Sequence, residues 1–318
     1  MQFRTQMPIL KSNFPINYHS KIVSLGSCFA VNMAEKLDYF KFQNTTNPFG
    51  ILFHPLALEK LIRISLDEKQ FGESDIFFHN ERWHFFDAHS DLSDSNKTQL
   101  LQNLNVKSVQ LKNAVANASH LILTLGTAWV YRNDESQEVV ANCHKVPQKQ
   151  FKKELLSIQT IQQSLLNSIE LLRLANPKIQ IIFTISPVRH IKDGFVENQW
   201  SKANLISALQ EIVHQSQNSG TVHYFPSYEI MMDELRDYRF YAEDMIHPNQ
   251  TAIDYIWKRF SETWISESSI PVMEQIESIQ KSLQHRPFNP DSESHKIFLS
   301  KLSDKISILQ NQFSHFRF

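Results

Sequence analysis

Four runs of almost uninterrupted apolar residues set the framework of the chain. They lie at 21–26 (Ile22, Val23, Leu25), 120–125 (Leu-Ile-Leu-Thr-Leu after His120), 179–185 and 221–225. Residues 40–44 suggest a fifth, shorter strand. Between these runs apolar positions return every three or four residues, the period of a helix face. Ala30, Met33, Ala34 and Leu37 mark a helix over 28–39. Leu58, Leu61, Ile62 and Leu66 mark one over 56–65. A weaker face of Leu100, Leu104, Val106 and Leu111 falls in 94–117. A strong one over 149–175 carries Leu155, Ile158, Ile161, Leu165, Ile169 and Leu172, and Asn176-Pro177 stops it. Further helices are expected at 200–217, at 228–235 and from Pro248, where Ile253, Ile256, Phe260 and Trp264 share a face. Strands this apolar need cover on both faces. Their alternation with helices predicts a parallel sheet between two helical layers.

Two stretches break the rhythm. Residues 75–90 read as a hairpin turning at Asn80-Glu81, and 130–140 as a second hairpin around Asn133-Asp134. The tail from Ser266 is separable from a domain of residues 1–265. Met273, Ile276, Ile279 and Leu283 define one helix, and Pro287-Phe288-Asn289-Pro290 breaks it. Leu302, Ile306, Leu309, Phe313 and Phe316 then form a heptad-like seam. Such a helical hairpin either packs on the main domain or offers a homodimer surface.

Composition narrows the function classes. With 32 basic and 33 acidic residues the net charge is -1, so no general attraction to nucleic acid or anionic lipid follows. No run approaches a membrane span, and Met1 to Pro8 lacks the apolar core of a signal peptide. Two cysteines, Cys28 and Cys143, make no disulfide framework and fit a reducing, cytoplasmic setting.

The chemistry-bearing residues follow the strand runs. Gly26-Ser27-Cys28 sits at a strand-to-helix turn, which lifts the Ser27 hydroxyl to the sheet edge near free helix N–H groups. Gly126-Thr127 follows the second run and Ser186-Pro187-Val188-Arg189-His190 the third. Asp244-Met245-Ile246-His247-Pro248 follows the last. A serine nucleophile needs a base, and the imidazole needs an orienting carboxylate. Asp244 and His247 supply both. Cys28 is an alternative nucleophile, because a helix N-terminus lowers a thiol pKa. His84, His89, His144 and Cys143 match no metal-ligand spacing, and no metal or cofactor is expected.

Gly26-Ser27-Cys28-Phe29-Ala30 resembles the signature of the GSCFA family, which is similar to the SGNH (GDSL-like) hydrolases. Further blocks extend the resemblance in order over about residues 21–262. They include Asn47-Pro48-Phe49-Gly50, Trp83-His84-Phe85-Phe86-Asp87, Asn142-Cys143-His144-Lys145-Val146-Pro147 and Tyr224-Phe225-Pro226-Ser227-Tyr228-Glu229. The resemblance implies a flavodoxin-like α/β/α sandwich with small hairpin insertions and the helical tail. It also implies a serine esterase or acyl transferase with Ser27 as nucleophile, His247 as base and Asp244 as orienter. Backbone N–H groups of Ser27 or Cys28 and of Gly50 are the expected oxyanion donors. The third block falls on Gly126-Thr127-Ala128-Trp129, where Ala128 replaces the usual asparagine. Thr127 and Asn47 are the nearest substitutes. Arg189, His190, Lys192, Asp193, Glu197 and Asn198 form either a self-bonded loop or a specificity wall. Trp83, His84 and Trp129 either pack or line a glycan-sized cleft. The expected substrate is a small-molecule or glycan ester, and a non-catalytic sugar-binding protein is the alternative.

Overall fold

The computed structural model describes residues 5–216 and 220–318. Its centre is a five-stranded, wholly parallel sheet. The strands are β1 (Lys21–Gly26), β2 (Gln43–Thr46), β3 (His120–Leu125), β4 (Gln180–Ile185) and β5 (Val222–Phe225). They lie side by side as β5-β4-β3-β1-β2. That is the 2-1-3-4-5 order of a doubly wound sheet, and its crevice opens where the order reverses, between β1 and β3.

Alternate residues of each strand feed different layers. Val23, Leu25, Leu121, Leu123 and Phe183 pack beneath α2 (Pro55–Leu66), α3 (Lys97–Asn117), α4 (Ile158–Ala175) and α5 (Phe195–Gln215). Ile22, Ile122 and Ile182 face α1 (Cys28–Tyr39) and α6 (Gln250–Trp264). The expected three-layer α/β/α architecture is therefore present. On the second side the tail helices α7 (Ile270–Gln284) and α8 (Glu293–Gln312) join the same core. The Tyr18 ring meets Phe313 and Phe316 with centroids 5.0 and 5.1 Å apart. The heptad-like seam is thus covered by the chain itself. No described helix is long and apolar enough to cross a membrane.

Three local expectations fail for physical reasons. The helix expected over 149–175 begins at Ile158, where the Ser157 side chain accepts the Thr160 N–H at 3.1 Å. Phe151–Leu155 is instead a strand, antiparallel to Trp129–Asn133, whose other edge pairs with Val139–Val140. The backbone of Trp129–Asn133 needs partners on both edges, a non-local demand that helix periodicity cannot reveal. On α3 the buried positions are Leu100, Leu104, Ser108, Leu111 and Val115, while Val106 is 64% exposed. Helix α5 starts at Phe195, five residues before the expected 200, directly after Gly194 at φ +116°. Position 217, its expected end, lies outside the described residues. The hairpin at 75–90 forms as expected, with Asn80 and Glu81 both left-handed at its turn.

Candidate active site

Ser27 stands at the reversal of strand order. β1 ends in Gly26 at φ +138°, where a Cβ would lie 2.2 Å from the Thr124 carbonyl oxygen, so only glycine fits. The Asn47 side chain holds this residue from the other side. Its Oδ1 accepts the Gly26 N–H at 2.8 Å and its Nδ2 donates to the Gly26 carbonyl at 3.2 Å. Ser27 is the N-cap of α1, a position where serine ordinarily accepts an N–H from the first helical turn. Here the side chain makes no capping bond. Ser27 is 1% exposed and its Oγ has no hydrogen-bond partner among the described residues. Leaving a buried hydroxyl unpaired costs about 1–3 kcal/mol, so the customary structural role does not account for this serine.

The Asp244–His247 pair is built by one turn. Asp244 Oδ1 accepts the N–H groups of Ile246 and His247 at 2.9 and 3.0 Å, and Oδ2 lies 2.6 Å from His247 Nδ1. The His247 backbone N–H, with the imidazole and the Ile246 N–H behind it, pulls the Asp244 carboxyl down to about 2. With Nδ1–H donated to the carboxylate, a neutral His247 presents a bare Nε2 to accept a proton. The turn is tied down by Ala242 N–H to the His247 carbonyl at 2.8 Å.

Ser27 and His247 line one cavity of about 610 Å³, together with Cys28, Thr127, Trp129, Arg189 and His190. Most of the remaining wall is apolar, including Ile51, Phe53, Val140 and Val188. The structure thus gathers the groups after β1, β3 and β4 and the Asp-x-x-His turn on one sheet edge. The GSCFA family model matches residues 21–260, and a GSCFA domain protein, C-terminal domain, model matches 276–318. The chain belongs to the GSCFA family. A comparison with curated proteins finds no match.

In this GSCFA chain several expected site residues serve the frame instead. The Ser27 N–H donates to Thr124 at 3.1 Å, and the Gly50 N–H to Asn47 at 2.8 Å. Neither N–H is free for an oxyanion. Gly50 is glycine because a Cβ there would lie 2.3 Å from His89 Cβ. Asn47 spends its amide on Gly26, so it is a latch and not a substrate contact. The Thr127 hydroxyl bonds Ser201 Oγ at 2.9 Å and accepts the Trp129 N–H at 3.1 Å. Ala128 is fully buried in the core and its N–H donates to Ser201 Oγ at 2.7 Å. Position 128 therefore faces away from the cavity.

Glu197 and Asn198 lie behind the cavity wall. The Glu197 carbonyl accepts the Trp129 indole N–H at 3.2 Å, and Asn198 Oδ1 accepts the His190 N–H at 2.8 Å. Trp83 and His84 pack in the outer hairpin, where His84 bonds Ser93 and the His79 carbonyl. Burial raises the Cys28 thiol pKa, outweighing the first-turn N–H groups expected to lower it. Of the α1 N–H groups named as oxyanion donors, that of Cys28 remains, since a helix cannot pair its first N–H groups itself.

Arg189 lines the cavity as a braced cation. Its Nη1 donates to the Met245 carbonyl at 3.0 Å, and the rings of Phe195, Tyr238 and Tyr241 stand 5.4, 5.6 and 5.5 Å from the guanidinium. No carboxylate pairs with it among the described residues.

Sequence reasoning missed Ser201 and Lys202. Lys202 is 1% exposed and its Nζ donates to the carbonyls of Gly126 and Ser186, both at 2.7 Å. One ammonium thus ties together the ends of β3 and β4. Burial lowers its pKa to about 7. The available signal was spacing: Asn198, Ser201, Lys202 and Leu205 fall on one buried face of α5.

Proposed function

We propose that this protein is a metal-independent serine hydrolase acting on an O-acyl ester, built as the SGNH-like resemblance implies. One observation carries the reading. A buried serine hydroxyl, released from capping its own helix, opens onto the cavity lined by the histidine of a formed Asp–His pair. The Ser27 Oγ and His247 Nε2 share no hydrogen bond in the free protein, and such bonds commonly tighten only around bound substrate.

Ser27 Oγ adds to the ester carbonyl carbon while its proton passes to His247 Nε2. The C=O electron pair moves onto oxygen. Collapse of this intermediate breaks the C–O bond to the alcohol, which leaves with the proton from His247. The acyl-serine is then opened by water along the same path in reverse, releasing the acid. A second hydroxyl in place of that water makes the reaction an acyl transfer. Asp244 keeps His247 in the required tautomer. Arg189, a cation with no carboxylate partner among the described residues, would hold an anionic group on the substrate. The two unpaired cysteines suit a reducing, cytoplasmic compartment.

The test is labelling by a fluorophosphonate probe together with turnover of p-nitrophenyl acetate and acetylated sugars, in wild type and Ser27→Ala. The expected result is labelling and turnover that both vanish in the variant. Equal turnover by the two proteins would overturn the assignment, and tight sugar binding without labelling would make the protein a binder.

A further inference from the structure

The third block carries no asparagine amide, and the cavity wall holds an unused nitrogen. His190 follows β4 and lines the cavity shared by Ser27 and His247. Its Nε2 is buried and has no hydrogen-bond partner among the described residues. A buried polar atom left without a partner is destabilising, and native proteins keep few of them.

Its position is held on three sides. Asn198 Oδ1 accepts the His190 backbone N–H at 2.8 Å. The imidazole packs against Phe53, with ring centroids 5.6 Å apart. Nε2 lies 3.4 Å from the point where a Cβ on Gly126 would stand, so the nitrogen rests at contact distance over that glycine. Gly126 is the residue after β3, and β3 is the neighbour of β1 in the sheet. The register pairs Gly26 with Thr124, and the Ser27 N–H reaches the Thr124 carbonyl. The nitrogen therefore sits over the strand end adjoining the nucleophile.

We propose that His190 is an oxyanion-hole donor, whose Nε2–H hydrogen-bonds the ester carbonyl oxygen as negative charge builds there during attack by Ser27. This deepens the hydrolase reading and rests on it. No proton leaves His190: the N–H···O contact strengthens as the tetrahedral intermediate forms and relaxes as it collapses. Burial, reinforced by the nearby Lys202, pushes the imidazole down to about 3. The ring is neutral at working pH, and a neutral imidazole fixed in a dry site is an effective donor to a developing oxyanion. A competing role as general base would need an orienting carboxylate, and Asp244 is committed to His247. An oxyanion donor is thereby supplied from the residues after β4 instead of from the loop after β3.

The test compares wild type with His190→Leu, which fills the space without a donor, and His190→Gln, which restores an N–H. Steady-state hydrolysis of p-nitrophenyl acetate is measured alongside thermal unfolding. For His190→Leu, kcat should fall about 10²–10³-fold with KM within a few-fold of wild type. For His190→Gln, at least a tenth of the wild-type kcat should return. A His190→Leu protein that folds and keeps kcat within about threefold, in an enzyme that still requires Ser27, overturns this proposal alone. Should His190→Leu fail to fold, a His190→Gln kcat no better than a hundredth of wild type, in a folded protein, overturns it equally. Absence of any Ser27-dependent turnover in the wild type overturns the hydrolase reading and this proposal with it.

Discussion

The nucleophile and the base of the candidate site are held by opposite means. Ser27 is 1% exposed and is set by the sheet: Gly26 fits against Thr124, Asn47 clamps Gly26, and the neighbouring strand ends are tied by Lys202. The Asp244 and His247 side chains are 44% and 45% exposed and are set by one four-residue turn. Every bond that holds the Asp244 carboxylate down comes from within three residues of it. The serine corner is therefore as rigid as the core, while the histidine corner is locally complete and only docked onto it.

The largest expected effect separates the two corners by function. Ser27→Ala should lower kcat by roughly 10⁴–10⁶-fold. Thermal unfolding should stay unchanged or move upward, because the deleted hydroxyl makes no bond. A marked loss of stability would show that the buried Oγ has a structural partner. Asp244→Asn should cost roughly 10⁴-fold in kcat, since the amide still accepts the turn N–H groups but cannot hold the tautomer. Circular dichroism should keep the wild-type spectrum, as the turn lies outside the core.

Lys202→Met probes the rigid corner by stability. It leaves the Gly126 and Ser186 carbonyls unpaired, an expected net loss of about 2 kcal/mol in urea unfolding. The pH dependence has a definite sign. Burial pushes Lys202 down to about 7 in the fold from its ordinary 10.5, so between these the unfolded chain binds the extra proton. Its contribution makes stability rise as pH climbs from 7 towards 10.5. Lys202→Met should flatten the slope in that window.

Smaller effects follow at the rim. Arg189→Met should raise KM about tenfold for an ester whose alcohol carries a carboxylate, with kcat little changed. A neutral ester should show no such shift. Asp244 gives the smallest signal: its carboxyl is depressed to about 2 from 3.8. The stability it adds is present above the unfolded value and is lost only as pH falls through about 2. Above pH 4 the pH slope of stability should therefore be the same in wild type and Asp244→Asn, and only below it should the wild type lose stability that the variant keeps.

Much of the molecule was legible from local pattern. Continuous apolar strands announced a sheet covered on both faces, and a glycine-serine turn followed by helical spacing placed Ser27 at its edge. The Asp-x-x-His pair was legible because its hydrogen bonds close within four residues. What escaped depended on distant partners. The strand at Phe151–Leu155 exists because Trp129–Asn133 has a free edge, and helix periodicity hid it. The roles first read for Gly50, Asn47 and Thr127 assumed free donors, whereas their groups are spent on each other, on Gly26 and on Ser201. Lys202 looked like any helix lysine until β3 and β4 closed around it.

The sequence alone determined the layers, the Ser27 turn and the Asp244–His247 turn, because each is encoded within one or two elements by apolar spacing, glycine and short-range hydrogen bonds. Tertiary structure alone decided which backbone N–H groups are occupied, which polar atoms are stranded, and that His190 and Ser27 share a cavity. Those outcomes depend on strand order and register, which bring residues such as Gly26 and Thr124, or Thr124 and Thr184, side by side from far apart in the chain.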